Sequence, residues 1–294
     1  MSTFRVAAVV KEPVAILRRF TDWYLAAGAA RVVLYFDDPD DPAIASVTGD
    51  PRIEAIRCTP DFWRGIGQEA DARFTLRQNA AITAAYGETV EDWLLVVDAD
   101  ELVHVTQGTV PDLLAAQGPD VSSLMVEPAE FVHAPVAGAA FRLPIGRKFV
   151  NRLYGAEADL FRKRHGLIGH STGKAFHRSG QKDIWLRQHW AVDKAGEVVP
   201  YASVGRDQGA YLLHYLAPDF AAWRAKMEWR MASTGFHGGV RELIEAIDAK
   251  GGDREAGLAA LYDRMHRIDA EMAGKLRAVG AFLELPAEFA PVAA

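Results

Sequence analysis

The sequence has 294 residues, of which 50% are hydrophobic and 24% are charged, and this ordinary globular composition argues against a disordered chain. Its 33 basic and 39 acidic residues give a net charge of −6, which argues against a protein that binds nucleic acid through phosphate contacts. The single cysteine excludes an internal disulfide framework and a zinc site built from cysteines.

The N-terminal segment has too short an apolar run for a signal peptide and lacks a small-residue cleavage site. No apolar stretch approaches the ~20 residues that a helix needs to cross a bilayer. We therefore expect a cytoplasmic protein without a transmembrane segment, for which peripheral association with a membrane surface stays open.

The N-terminal third of the chain alternates between short apolar runs and helical patterns. The apolar runs predict strands over residues 6–10, 31–36, 53–58 and 93–97, and the helical patterns predict helices that end at Gly28 and Gly87. Because the runs are almost continuously apolar, we expect strands covered on both faces, as in the parallel sheet of an α/β protein. Polar residues follow three of these strands, beginning at Lys11, Asp37 and Asp98, and ligand sites in such sheets lie at the carboxyl ends of strands.

The remaining sequence changes character twice. Residues 127–215 have short strands and, between 142 and 187, more basic than acidic residues, which suits either an anionic ligand with a bridging cation or a solvated surface. Beyond Pro218 the pattern becomes helical and includes predicted helices over residues 240–249 and 255–279. We expect an α/β domain over residues 1–216 and a C-terminal helical region over residues 217–294.

The run WLLVVDADELV carries the clearest chemical signal in the sequence. If the strand persists through Asp98, alternation places Asp98 and Asp100 on one side and Ala99 on the other. Two carboxylates at a strand end provide the hard oxygen ligands that Mg²⁺ and Mn²⁺ prefer. The same aspartates also suit a turn, because aspartate is common after strands. A further alternative is the phosphatase-type Asp-x-Asp nucleophile, although that motif follows the first strand and usually continues with threonine or valine instead of Glu101.

Other short motifs accompany this run in a defined order. They are Val10-Lys11-Glu12, Trp23, Gly28, Asp37-Asp38 with Asp41, Gln78, Asp98-Ala99-Asp100-Glu101, Gly173-Lys174 and His214-Tyr215. In this order and spacing the sequence resembles the GT-A glycosyltransferases, specifically their family 2-like group, over roughly residues 4–230. One departure is that the asparagine expected between Lys11 and Glu12 is missing, and Pro13 follows at once.

The resemblance implies a GT-A (Rossmann-like) mixed sheet flanked by helices, with a C-terminal helical extension. It implies transfer of a sugar from a nucleotide diphosphate sugar to a glycan or another hydroxyl acceptor. A Mn²⁺ or Mg²⁺ ion held by Asp98 and Asp100 would stabilise the leaving diphosphate. The residues expected to line the nucleotide-sugar site are Val10, Lys11, Glu12, Asp37, Asp38, Gln78, Asp98, Ala99 and Lys174.

Two further roles are implied by the same resemblance. An inverting reaction needs a base for the acceptor hydroxyl, and Glu127 and Glu130 follow the predicted strand over residues 123–126. His214 is expected as the third protein ligand of the metal, beside the two carboxylates. Ordinary alternatives are surface exposure for the glutamates and core packing for the histidine.

Two alternatives from other classes stay open. A nucleotidyltransferase can share the sheet and a metal-bound diphosphate, but it usually has a glycine-rich loop where this chain has KEPVA. A non-catalytic nucleotide-sugar-binding protein would keep the fold without turnover. The fold alone does not separate these functions.

Overall fold

The computed structural model describes residues 1–232, 236 and 238–292. The chain forms two compact units, and unit 1 comprises Met1–Pro128 and Thr172–Leu212. Unit 2 comprises Ala129–Ser171 and Leu213–Val292. The sequence predicted a single boundary at residue 216, whereas the chain crosses between the units after residues 128, 171 and 212, so that residues 129–171 fold with the C-terminal helices.

The described residues form fourteen strands and eleven α-helices. The strands are β1 (Phe4–Val10), β2 (Arg31–Phe36), β3 (Ile53–Arg57), β4 (Trp93–Val96), β5 (Glu101–Val105), β6 (Ser123–Val126), β7 (Pro128–Val132), β8 (Ala139–Arg142), β9 (Lys174–Arg178), β10 (Ile184–Leu186), β11 (Ala191–Asp193), β12 (Ala202–Val204), β13 (Ala210–His214) and β14 (Phe282–Leu285). The helices are α1 (Val14–Ala26), α2 (Ile44–Val47), α3 (Pro60–Gly65), α4 (Phe74–Gly87), α5 (Val110–Ala115), α6 (Arg147–Tyr154), α7 (Ala158–Arg162), α8 (Phe220–Ala232), α9 (Gly238–Lys250), α10 (Arg254–His266) and α11 (Ala270–Ala278).

A seven-stranded mixed sheet is the main element of unit 1, with the order β12-β6-β9-β4-β1-β2-β3. β1 pairs in parallel with both β2 and β4, and β2 pairs in parallel with β3. Every residue of β1 and β4 is buried, which explains why both strands are apolar except at Arg5. The predicted α/β sheet is therefore confirmed, and β2, β3 and β4 lie within one residue of their predicted bounds.

β9 runs antiparallel to its two neighbours, β4 and β6. Its amino end therefore lies at the edge of the sheet where the parallel strands have their carboxyl ends. In the register of this pairing, Lys174 lies opposite Val126 of β6, and Phe176 lies opposite Leu95 of β4. This register places Lys174 at the ends of both β4 and β6.

Two side chains of α1 fix the start of β5. The Trp23 indole nitrogen donates to the Val103 carbonyl oxygen at 2.8 Å, and the Tyr24 hydroxyl donates to the Glu101 carbonyl oxygen at 2.9 Å. Tyr24 is buried, and burial raises the pKa of its hydroxyl well above the ordinary value, so it stays a donor even at alkaline pH. The backbone that carries Glu101 is thereby held against α1.

Unit 2 combines antiparallel strands, in the order β14-β8-β7, with helices α6 to α11. The prediction of one helix over residues 255–279 is wrong in one respect, because the chain forms two helices there, α10 and α11. The His133 backbone interrupts it by accepting from Ile268 and donating to the His266 carbonyl oxygen, each at 2.8 Å. Asp269 then caps α11 by accepting the Met272 N–H at 2.7 Å. Among the described residues, no helix has both the length and the apolar character to span a membrane.

Candidate functional site

The Asp98–Glu101 segment forms a turn at the end of β4. β4 ends at Val96, and the Glu101 N–H donates to the Asp98 carbonyl oxygen at 3.0 Å. The assumption that the strand persists through Asp98 is therefore wrong, because a turn hydrogen bond replaces the sheet ladder. Ala99 is nevertheless buried while Asp98 and Asp100 are half-buried, so the alanine is still separated from the two aspartates.

Lys174 connects this turn to the start of β9. Its ammonium donates to Asp98 Oδ2 at 2.8 Å and lies 3.4 Å from Glu101 Oε2. The Lys174 side chain is 1% exposed, Glu101 is 6% exposed and Asp98 is 42% exposed, so the pairs reach from the core to the surface. Burial alone would lower the pKa of Lys174, but Asp98 and Glu101 hold it above its ordinary value. We call Asp98, Glu101 and Lys174 the edge cluster.

Two glutamines and one backbone amide support the edge cluster. Gln78, buried on α4, donates from its amide nitrogen to Asp98 Oδ1 at 3.1 Å, and Gln188 donates in turn to the Gln78 amide oxygen. The Asp98 N–H donates to Glu101 Oε2 at 2.9 Å. Both carboxylate oxygens of Asp98 are therefore oriented by protein donors. The structure brings together Gln78, Asp98 and Lys174, which the sequence placed in one site.

The residues at this edge suit a divalent cation that takes some of its ligands from the protein and the others from a substrate. Asp98, Asp100 and Glu101 provide three carboxylates within four consecutive residues, and Lys174 provides one ammonium group, which pairs with Asp98 and Glu101. The negative charge left over, together with hard oxygen donors, favours Mg²⁺ or Mn²⁺, ions that often take only one or two carboxylates from the protein. Within the described part of the chain, no group of three or more histidine, cysteine, aspartate or glutamate side chains is arranged to hold a metal.

The loops after β1 and β2 form the next part of the same sheet edge. The Asp37 N–H donates to the Val10 carbonyl oxygen at 3.2 Å, which joins the two strand ends. Val10 is buried, Glu12 is half-buried and Lys11 is exposed. The backbone of this segment therefore borders the edge of the sheet, and its contact with a nucleoside stays a prediction.

Asp37 and Asp38 have different surroundings. Arg77 of α4 holds Asp37 in a bidentate pair, with Nη2 at 2.8 and 2.7 Å from its two oxygens and Nε at 3.1 Å from Oδ1. Asp38 is exposed, and its Oδ1 accepts the Asp40 N–H at 3.1 Å. Because Asp37 is committed to Arg77, Asp38 is the better candidate of the two for a ligand hydroxyl.

Glu127 follows β6 at the same edge and is half-buried. Its backbone is held on both sides, because its N–H donates to the Val204 carbonyl oxygen and its own carbonyl accepts the Leu212 N–H, each at 2.9 Å. The carboxylate packs directly on Gly205, where an added Cβ would lie 2.1 Å from Glu127 Oε2. The absence of a side chain at Gly205 therefore makes room for the Glu127 carboxylate.

Glu130 has a different environment in unit 2. It lies opposite Arg142 in the β7–β8 register, and the two side chains form an ion pair in which each is 1% exposed. The amides of Ile168 and Gly169 also donate to it. Burial alone would raise the pKa of Glu130, but Arg142 and the Gly169 amide bring it to about 2. These surroundings disfavour the predicted role of Glu130 as a base, and we assign it to the core of unit 2.

His214 is the last residue of β13 and is half-buried in unit 2. A Cβ added at Gly169 would lie 3.1 Å from His214 Cε1 and 3.2 Å from its Nδ1, so the ring packs on that glycine. Its neighbour Tyr215 is buried between the rings of Phe131 and Phe141. Asp98 and Asp100 belong to unit 1. The role of His214 as a third metal ligand stays a prediction.

Three residues of unit 1 were not singled out from the sequence. Arg77 immediately precedes Gln78, and only the fold shows that it holds Asp37. Gln188 lies in the loop-rich half of the chain, and no pattern in the sequence around it indicates a functional role. Gly205 was one glycine among 25, and its role depends on a contact with a residue far away in the sequence.

No protein-family profile matches the sequence, and no characterised protein matches it in a sequence search. Among solved structures, a mannosyltransferase from Pyrobaculum calidifontis in complex with GDP-Man and Mn²⁺ is similar at a TM-score of 0.39 and 12% identity, over 95% of this chain and 73% of that one. A 2-C-methyl-D-erythritol 4-phosphate cytidylyltransferase from Francisella tularensis is similar at a TM-score of 0.26 and 7% identity, over 95% of this chain and 99% of that one. Likenesses this distant carry no argument about function, which depends on the site itself.

Proposed function

We propose that this protein is a GT-A-type glycosyltransferase that moves a sugar from a nucleotide diphosphate sugar to an acceptor hydroxyl. The observation that carries the proposal is the edge cluster, in which a buried lysine faces the carboxylates of the Asp-x-Asp-Glu turn at the carboxyl ends of β4 and β6. An anionic ligand bound through a divalent cation needs both signs of charge at one place, and the carboxyl edge of an α/β sheet is where such ligands bind.

The proposal assigns different work to the residues of unit 1. Lys174 and Gln78 orient Asp98, and Asp98 and Asp100 would hold Mn²⁺ or Mg²⁺. When bound, the ion would neutralise charge on the leaving diphosphate. The backbone of Val10 to Glu12 would border the nucleoside, and Asp38 would accept from its hydroxyl groups. Glu127 would take the proton of the acceptor hydroxyl.

Replacing Asp100 by alanine is expected to abolish metal-dependent donor binding without unfolding the protein. A half-buried turn carboxylate contributes little stability, and its removal reduces the excess negative charge at the edge. Titration of UDP and GDP with and without Mn²⁺, by calorimetry, should show that Mn²⁺ no longer strengthens nucleotide binding to the variant, a loss of affinity of at least about tenfold, or ~1.4 kcal/mol. His214→Ala in the same titration tests the predicted third ligand. Undiminished Mn²⁺-dependent binding in Asp100→Ala, or a clear preference of the wild-type protein for triphosphates, would contradict the proposal.

Moving the Glu127 carboxylate is expected to slow turnover while donor binding persists. Gly205→Ala places a methyl group 2.1 Å from the present position of Glu127 Oε2, and the flexible end of the glutamate must move away. Removal of general-base catalysis by Glu127→Gln typically costs a factor of about 10²–10⁴. Release of nucleoside diphosphate from a panel of UDP- and GDP-sugars measures the effect. Gly118→Ala is the matched control, because a Cβ at Gly118 meets nothing within 4 Å. Equal turnover in Gly205→Ala, Gly118→Ala and wild type would exclude this role for Glu127.

A further inference from the structure

Helix α6 of unit 2 presents a basic side to solvent that the roles proposed above leave unused. Its inward side is formed by Val150 and Tyr154, which are buried. Its outward side carries Arg147, Lys148 and Arg152, which are all exposed, and the helix contains no acidic residue. An eight-residue helix is about 12 Å long, so the three cations lie within one short stretch of surface.

The acidic residues that follow α6 do not neutralise these cations. Glu157 pairs with Arg264 at 2.6 Å. Asp159 pairs with Arg162 at 2.8 Å. Residues 147–164 include six basic and two acidic residues in a chain whose net charge is −6, so the positive charge is a local feature of this segment.

The helices that pack against α6 leave the charge in place as well. The acidic residue of α11, Glu271, pairs with Lys275 at 2.6 Å. α7 adds one more exposed cation, Lys163. Within the part of the chain that the structure describes, the side chains of Lys163 and of the three α6 cations form no ion pair. Four basic side chains are therefore available to an external anion.

One large apolar side chain lies among these cations. Phe149 is 46% exposed, directly follows Lys148 and lies three residues before Arg152, which is about one turn of the helix. Val150 beside it is fully buried, so the helix has an apolar side of its own that does not include Phe149. An exposed aromatic ring within a basic surface is the combination that binds at the boundary between lipid headgroups and acyl chains.

Anionic lipids match both features of this surface. Each lysine or arginine close to a negatively charged membrane surface strengthens binding by about fivefold. Long basic side chains can reach the headgroups while the helix itself stays outside the hydrocarbon. A soluble polyanion, such as an acidic polysaccharide, would meet the same cations but offers no apolar phase for Phe149. The ring therefore favours a lipid surface over a soluble polyanion.

We propose that the outward side of α6 docks this protein onto an anionic membrane surface. Arg147, Lys148 and Arg152 contact the lipid phosphates, and Phe149 enters the interface. The association is peripheral and reversible, because a few cations and one ring provide only modest affinity. Docking requires neither nucleotide nor metal and is independent of the proposed glycosyltransferase function.

Sedimentation of the full chain with lipid vesicles tests this proposal. The vesicles contain phosphatidylcholine alone, or equal amounts of phosphatidylcholine and phosphatidylglycerol, and heparin is the polyanion without a lipid phase. One variant combines Lys148→Gln with Arg152→Gln, and a second is Phe149→Ser. The matched control combines Lys182→Gln with Lys250→Gln, because both lysines are exposed outside α6 and the same charge is removed.

We expect the wild-type protein to bind the anionic vesicles, and added salt to weaken that binding. The double variant in α6 should lose at least about tenfold in affinity, and the control should change by less than about twofold. Phe149→Ser should weaken vesicle binding by about fivefold while its binding to heparin equals that of the wild type.

The proposal is overturned if the wild-type protein binds anionic vesicles no better than neutral ones, or if the double variant in α6 binds them as the control does. It is also overturned if Phe149→Ser binds vesicles as the wild type does, since the partner would then be a soluble polyanion. Failure of the proposed function would appear separately, as absent Mn²⁺-dependent nucleotide binding in the wild-type protein.

Discussion

Lys174→Met will lower the free energy of unfolding by about 2–4 kcal/mol, because it leaves Asp98 and Glu101 without their buried counter-charge. This range lies below that for a fully buried pair because Asp98 is 42% exposed and partly screened by solvent. Denaturant unfolding at neutral pH measures the loss. Lys182→Met is the matched control, since Lys182 is exposed in the same unit, and it should change stability by less than about 0.5 kcal/mol.

The pH dependence of this loss has a definite sign. Because the folded-state pKa of Lys174 is raised, its contribution is fully present below the unfolded pKa of about 10.4 and is lost as pH rises through the folded pKa. The difference in stability between wild type and Lys174→Met should therefore stay constant from pH 7 to about 10 and shrink above it. A variant as stable as the wild type at neutral pH would show that the ion pairs contribute nothing, and a difference that grows with alkaline pH would contradict the raised pKa of Lys174.

Gly173→Ala is expected to have the second large effect, because two independent features require glycine at this position. Its φ angle is +86°, which is unfavourable for other residues, and an added Cβ would lie 2.0 Å from the Val126 carbonyl oxygen. The strain of positive φ alone costs of order 1–3 kcal/mol. Since the clash is with backbone, β6 and β9 would have to separate, and Lys174 would move with its neighbour.

Gly180→Ala provides a matched comparison for this prediction. Gly180 has a φ angle of +81° and lies just beyond the other end of β9, but a Cβ there meets nothing within 4 Å. The strain is thus similar in both variants, whereas the clash occurs only at Gly173. Thermal unfolding should rank wild type above Gly180→Ala and Gly180→Ala well above Gly173→Ala. Equal losses of thermal stability in the two variants would show that the backbone at Val126 moves away from the added methyl group without an energetic cost.

The sequence was most informative where local pattern and burial agree. β2 was predicted with its observed bounds, because its apolar residues are buried on both faces of a parallel sheet. The motif at Asp98 was also recognised from the sequence, because the apolar run before it predicts a strand that ends at these carboxylates. The turn that displaces them from the strand was not, because aspartate suits a strand end and a turn equally.

The features that depend on distant pairing were outside the reach of local pattern. Nothing in the residues around Lys174 specifies that β9 enters between β4 and β6, and without that register its carboxylate partners are unknown. The same limitation explains Glu130, which reads as a solvent-exposed candidate until Arg142 is placed opposite it. It also explains the break after α10, which is caused by the His133 backbone far away in the chain.

The pairing of Val126 with Lys174 also bears on how this protein can change over evolution. The chain leaves unit 1 after Pro128 and returns at Thr172, so the excursion over Ala129–Ser171 begins and ends three residues from the cross-strand pair of Val126 with Lys174. Paired residues in neighbouring antiparallel strands have Cα atoms about 4.5–5.5 Å apart. Loops within the segment can therefore change length while its two attachment points stay clamped, whereas β7 and β8 are fixed by their pairing within unit 2. Such changes of loop length would leave undisturbed the lysine that the clamp holds in place.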